Sequence, residues 1–177
     1  MRIVSGKHKG KQFSPPKGIK ARPTTDFAKE ALFNVLNNYT TFADVSVLDL
    51  FAGTGNISYE FVSRGVTEIT AVDQSLETYK FIKSMNFELN ANINVIKADV
   101  FRFLAQAKGK QYDIIFADPP YALSNIPSIS VLVFKHEVLK PGGVLIVEHD
   151  KFTDLSKMDN FVECRHYGKV HFSFFRN

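Results

Sequence analysis

Ile114-Ile115-Phe116-Ala117-Asp118-Pro119-Pro120-Tyr121 is the stretch on which the reading of this chain turns. Its first half is a short, wholly apolar run, the pattern of a parallel strand buried on both faces. Two prolines then stop the strand, because neither ring nitrogen can donate to a sheet ladder. The strand's carboxyl end therefore carries a carboxylate, two stiffened carbonyls and an aromatic ring, and in open α/β sheets that edge is where ligands bind. Asp118 and the Pro119 carbonyl can accept both hydrogens of an amino group, while Tyr121 stacks on the ring that bears it. An ordinary strand-ending turn, with Tyr121 packed under a helix, is the competing reading of the same residues.

Around this stretch the pattern alternates strand and helix. Strands are expected at 45–50, 68–73, 92–97, 112–117 and 144–148, the last entered through a Lys140-Pro141-Gly142-Gly143 turn. Helices are expected at 55–63, closed by Gly65, then from the Ser75 cap to Leu89, at 100–107 and around 128–139. Such alternation builds right-handed βαβ units and a parallel sheet covered on both faces. The tail departs from it. Residues 160–166 and 169–175 are β-rich and flank Tyr167-Gly168, which reads as a terminal antiparallel hairpin. Before the alternation, Thr24, Thr25 and Asp26 supply helix-start chemistry, and Phe27, Ala31, Leu32, Val35 and Leu36 follow at helical spacing up to Asn37. We expect one domain over 1–177, with an extension over 1–40 and a core over 44–177.

At 177 residues and 45% apolar content the chain can bury a core of its own. No apolar run reaches the roughly 20 residues of a membrane span, and the start lacks the apolar segment of a secretion signal. A single cysteine, Cys164, forms no internal disulfide, which fits a reducing cytoplasm. The five histidines show no metal-ligand spacing, so no metal is expected, and a monomer is expected. Charge is segregated. Residues 1–22 carry seven cations (Arg2, Lys7, Lys9, Lys11, Lys17, Lys20 and Arg22) and no acid, whereas residues 23–177 balance 15 cations against 18 acids. A basic arm on a nearly neutral body is the footprint of a phosphate-gripping protein; a solvated tail is the bland alternative. Ile3, Val4, Phe13, Gly6 and Gly10 suggest that the arm is a short β-hairpin presenting its cations on one side.

Leu48-Asp49-Leu50-Phe51-Ala52-Gly53-Thr54-Gly55-Asn56 joins the first strand of the alternation to its helix. Gly53 and Gly55 allow close approach of a ligand at a helix N-terminus. Asp73 ends the next strand, 20 positions after Gly53, where an acid can hold both ribose hydroxyls. A nicotinamide site shares these features. Ser58, however, stands in place of the third glycine, and Asp49 before the loop would repel a pyrophosphate and attract a cationic ligand bearing an amino group. S-adenosylmethionine (SAM), with a sulfonium, an α-amino group and no phosphate, fits that description. Asp99, at the end of the third strand, can accept from an adenine amino group. Asp73 and Asp99 could instead serve as helix caps.

Asp49-x-Phe51-x-Gly53-x-Gly55, Asp73 and Asp118-Pro119-Pro120-Tyr121, in this order, resemble a SAM-dependent N-methyltransferase. Arg2-Ile3-Val4-Ser5-Gly6, Lys9-Gly10-Lys11, Arg22-Pro23-Thr24-Thr25-Asp26 and Glu30-x-Leu32-Phe33-Asn34 narrow the resemblance to the bacterial 16S ribosomal RNA guanine-N2 methyltransferases of the small-subunit methyltransferase D family. The resemblance covers nearly the whole chain. It implies a Rossmann-like sheet of about seven strands, SAM as donor, and a guanine of small-subunit RNA, free or in the assembling subunit, as acceptor. Asp118, Pro119 and Tyr121 then serve the acceptor; Asp49, Phe51, Gly53, Gly55, Asp73 and Asp99 serve SAM. Arg2, Lys7, Lys9, Lys11, Arg22, Thr24 and Thr25 serve the RNA. The chain departs from the family's pattern at Lys29, usually Arg, and at Asn56, usually a small apolar residue. A DNA adenine-N6 methylase, a protein glutamine methylase and a non-catalytic SAM-binding assembly factor are the rival readings.

Overall fold

A computed structural model describes residues 1–16 and 24–177. Its centre is a seven-stranded sheet in the order β3-β2-β1-β4-β5-β7-β6. The parallel part comprises β1 (Ser46–Leu50), β2 (Glu68–Asp73), β3 (Ile93–Lys97), β4 (Tyr112–Ala117) and β5 (Leu139–His149). β6 (Phe161–Tyr167) and β7 (Val170–Phe175) form the antiparallel hairpin, with β7 paired to β5. β1 pairs with β2 on one side and β4 on the other, so the order reverses there and a crevice opens between their carboxyl ends.

The buried run of β1 and the near-continuous apolar run of β4 follow from helices covering both faces. On one face α1 (Asp26–Leu36), α2 (Asn56–Ser63) and α3 (Leu76–Glu88) pack Leu32, Phe33, Phe61 and Ile82 over Val47, Ile69 and Phe116. On the other, α4 (Val100–Gln106) and α5 (Pro127–Lys135) pack Leu104, Ile129 and Val133 over Leu48, Ile115 and Leu145. Among the described residues no helix is long and apolar enough to cross a membrane.

Four local expectations shift. Phe27 is 67% exposed, edge-on to Tyr167, and Ala31 is only partly buried; Ala28 and Phe33 fill the core instead. The helical stripe is thus rotated toward Phe33, which meets Phe61 edge-to-face at 4.6 Å. α5 ends at Lys135, because Val138 and Leu139 are drawn into the core beside β4. Residues 140–143 belong to β5 as a bulge opposite β4, with Gly142 at φ 77°. The hairpin turn is Gly168-Lys169, one residue later than expected, since Tyr167 still pairs with Val170.

The N-terminal arm is a hairpin, as expected. Ile3 N–H donates to the Lys11 carbonyl, Phe13 N–H to the Met1 carbonyl, and Arg2 bridges Gln12. It is fastened to α2 by buried Glu60, whose carboxylate accepts from the Val4 and Ser5 amides at 2.9 and 3.0 Å. Gly6, at φ 80°, is needed there. A Cβ would lie 1.9 Å from the Ser63 carbonyl oxygen.

Candidate active site

Five acids occupy the carboxyl edge of five adjacent strands. In sheet order they are Asp99 after β3, Asp73 on β2, Asp49 on β1, Asp118 after β4, and Glu148 on β5. Four were read from the sequence as site residues; Glu148 was not.

Asp73 holds the glycine loop in place. One carboxylate oxygen accepts from Gly53 N–H at 2.9 Å and the other from Ser75 N–H at 2.8 Å. Each oxygen keeps a second lone pair for a ligand hydroxyl. The cap of α3 is Ser75 itself, which accepts from Thr78 N–H. Asp99 does cap α4, accepting from Arg102 N–H at 2.9 Å. Its exposed carboxylate thus takes the competing role foreseen for it and retains acceptor capacity.

The loop after β1 is backbone under tension. Phe51, Gly53 and Gly55 all have positive φ, at 58°, 52° and 76°. For Phe51 this left-handed conformation costs about 1–3 kcal/mol, and such conformations cluster at functional sites. The Phe51 ring lies edge-on to Phe101, at 6.1 Å. A Cβ at Gly55 would sit 2.6 Å from the Tyr59 ring, so only glycine lets the loop lie on α2.

Asp49 is 2% exposed and accepts from the Ser58 hydroxyl at 2.5 Å. Burial pushes its carboxyl up to about 7, with Asp73 pushing the same way and the Ser58 hydrogen bonds opposing. Ser58 is therefore Asp49's partner as well as the residue in place of a third glycine. Asp118 is raised well above the carboxylate range by burial, then by the Glu148 and Asp49 charges. Its amide donates to the Leu50 carbonyl across the crevice at 3.3 Å. Pro119 is buried, and the Pro120 carbonyl takes the Leu123 N–H. Tyr121 is half-buried, and its hydroxyl donates to Glu148 at 3.3 Å. The site is thus rich in acceptors for a cationic, hydroxyl- and amine-bearing ligand, and suits SAM better than a dinucleotide.

The residues expected to meet RNA are scattered. Thr24 is buried and donates to Glu148 at 3.1 Å, and Thr25 caps α1 by accepting from Ala28 N–H. Thr24 thus faces the protein, whereas Thr25 is exposed at the start of the helix with its hydroxyl used as the cap. Arg2 is held by Asp26 at 3.0 Å, and Lys11 by Glu88 at 3.1 Å. Lys7 and Lys9 are exposed. Lys7 lines a hollow with Thr67 and Asn92 at the strand-start edge, so the hairpin tip lies at the far end of α2, a helix about 12 Å long. Arg22 lies outside the described residues.

The two departures from the family's pattern meet in space. Lys29 is fully buried; its Nζ donates to the Asn56 side-chain oxygen at 2.9 Å and to the Arg2 carbonyl, with Glu60 at 3.7 Å. Asn56 in turn donates to the Thr24 carbonyl at 3.3 Å. Lys29 is a buried strut between hairpin, α1 and α2, not an RNA contact. The sequence marks Lys29 only as a departure from the family's pattern and does not mark Glu148 at all, since an acid ending a strand reads as solvated.

Sheet order, crevice and acidic edge together are those of an α/β methyltransferase. The structure of "Putative methyltransferase yhhF from Escherichia coli" superposes with a TM-score of 0.87 at 27% identity, covering 100% of this chain and 97% of that one. The profile of the family described as Conserved hypothetical protein 95 matches residues 1–176, and the chain belongs to that family. Its relatives include "Putative rRNA methyltransferase YlbH" of Bacillus subtilis, 33% identical over 159 residues, 88% of this chain and 85% of that protein. "Ribosomal RNA small subunit methyltransferase D" of Buchnera aphidicola subsp. Baizongia pistaciae is 28% identical over 182 residues, 100% of this chain and 92% of that protein.

Proposed function

We propose that this chain is a SAM-dependent rRNA methyltransferase that methylates the N2 amino group of a guanine in small-subunit RNA. The observation that carries the proposal is the acidic edge, which sets the acceptor carboxylate Asp118 beside the acids suited to SAM. Family membership supports the same class of reaction.

SAM, when bound, supplies an electrophilic methyl group on its sulfonium. Asp73 would hold the ribose hydroxyls, Asp49 the cationic amino-acid end and Asp99 the adenine amino group, with Phe51, Gly53 and Gly55 forming the floor. The guanine amine is a poor nucleophile because its lone pair is delocalised into the ring. Asp118 and the Pro119 carbonyl, each accepting one of its hydrogens, localise that pair and aim it into the crevice, so positioning and electrostatics carry most of the acceleration. With its proton affinity raised by burial, Glu148 and Asp49, Asp118 then takes the proton the amine releases. Tyr121, fixed through its hydroxyl, stacks on a base turned out of the RNA. Exposed Lys7 and Lys9, with Arg2, Lys11 and Arg22, grip phosphates away from the reacting base, and Thr24 and Thr25 serve by shaping the start of α1.

The test is to incubate purified protein and labelled SAM with small subunits from cells lacking the chain, then digest the RNA and identify the modified nucleoside. Labelled N2-methylguanosine at one position is expected. Label on adenosine, or on ribosomal protein, would overturn the assignment.

A further inference from the structure

β5 leaves the acceptor site through a turn that presents an aromatic ring to solvent. Phe152 follows Glu148, the acid that takes the Tyr121 hydroxyl, by four residues. Its backbone therefore lies no more than about 14 Å from that acid, at the carboxyl edge of the sheet. Phe152 is 82% exposed, with the Lys151 ammonium over its ring at 4.9 Å. The turn that carries the ring is fixed. Asp150 Oδ1 accepts from the Phe152 amide at 3.0 Å and from the Thr153 amide and hydroxyl, both at 3.1 Å. The buried His149 ring donates from Nδ1 to the Asp150 carbonyl at 2.7 Å and accepts from the Ser173 hydroxyl at 2.8 Å. Beyond the turn, Leu155 anchors the chain in the core under α4 and α5.

A ring held in water on a rigid scaffold is placed for contact with a partner. The edge it borders is acidic and repels a phosphate backbone laid directly across it, so the neutral face of a base suits this ground. Lys151 supplies one cation beside the ring, while Asp150 is engaged in the turn and Asp154 accepts from the Ser156 amide. The basic hairpin tip lies at the far end of α2, away from the nucleotides next to the target. We infer that Phe152 is a stacking platform for an unpaired base flanking the target guanine, with Lys151 meeting the phosphate beside it. A base turned out of the RNA leaves its neighbours partly unstacked, and an aromatic ring gives them a replacement surface whatever their sequence. The inference rests on the small-subunit RNA reading above and deepens it, by naming the contact that steadies the nucleotides around the acceptor.

The experiment titrates the full chain, saturated with SAM, with two short single-stranded RNAs that share one central guanosine. In the second RNA the nucleotides on either side of that guanosine are abasic. Wild type is expected to bind the intact RNA about tenfold better, the scale of one base–aromatic stack. Phe152→Ala should bind both RNAs alike and match wild type on the abasic one. Phe152→Trp should keep the preference, and Phe152→Leu, apolar but without a π-face, should lose most of it. Lys151→Ala should keep the preference and flatten the salt dependence by about 0.7 log unit, for one lost phosphate contact. Melting temperature and SAM affinity should hold in every variant, since both side chains stand in water. Equal affinity of wild type for the two RNAs, a preference that survives Phe152→Ala, or equal weakening of both RNAs by that change would overturn the inference. So would normal RNA binding by Phe152→Ala with weaker docking on assembled small subunits, which would assign the ring to a ribosomal protein. If small subunits receive no N2-methylguanosine while the preference still depends on Phe152, the reaction assignment fails and the stacking inference stands.

Discussion

Replacing Asp49 with Asn should make the free protein more stable at alkaline pH and a poorer binder of SAM. Burial raises the Asp49 carboxyl from an ordinary 3.8 to about 7. Between those two values the folded state holds a proton that the unfolded state has lost. Stability therefore falls as pH rises through this window, by about 1.4 kcal/mol per unit, and the full penalty is present above it. From pH 5 to pH 8 the loss assignable to Asp49 is about 2.7 kcal/mol, or roughly 5–10 °C in Tm for a domain of this size. Asp118 is displaced in the same direction, partly by Asp49, so the substitution also relaxes Asp118. Asn keeps an acceptor for the Ser58 hydroxyl and removes only the charge. The assay is thermal melting of wild type and Asp49→Asn from pH 5 to pH 8.5, without and with SAM. The wild-type curve should descend with pH and the variant's should be flatter, the two diverging most above pH 7. SAM should rescue wild type more than the variant, whose affinity falls roughly ten- to hundredfold for loss of a charged hydrogen bond. Parallel melting curves would refute a buried, proton-binding Asp49, and unchanged SAM affinity would refute its place in the cofactor site.

Asp118→Ala should abolish methyl transfer and leave SAM affinity within a few-fold, as equilibrium binding set beside single-turnover rates would show; near-normal turnover would return the motif to a mere turn. Lys29→Met should cost about 3–5 kcal/mol, because it strips a buried cation from Glu60, Asn56 and the Arg2 carbonyl, and denaturant melts would register the loss. Lys7→Ala with Lys9→Ala should weaken binding to small-subunit RNA and flatten its salt dependence by roughly 0.7–0.9 log unit per lost phosphate contact. SAM binding should survive, since the hairpin tip sits at the far end of α2; an unchanged slope would show that the RNA is gripped elsewhere.

Local pattern alone carried the alternating strands and helices, the terminal hairpin, and three acids at strand ends beside a glycine loop. These are short-range properties. Periodicity, prolines and glycines act on their own neighbourhood, and an acid that ends a buried strand must emerge at the sheet edge. The rotation of α1 that exposes Phe27 and buries Phe33 was not legible, because both lie on the same short helix and packing on Phe61 and Phe42 decides between them. The basic arm was legible as a charged hairpin, yet its attachment through Glu60 and Ser63 is what sets the tip at the strand-start edge. Lys29 and Glu148 draw their meaning wholly from distance. Lys29 meets Asn56 across 27 positions, and Glu148 meets Tyr121 across 27 and Thr24 across 124. A charge's role depends on burial and on its partners, and those are properties of the folded chain. Sequence determined which groups reach the edge of the sheet; tertiary packing decided which of them lost their water and met one another.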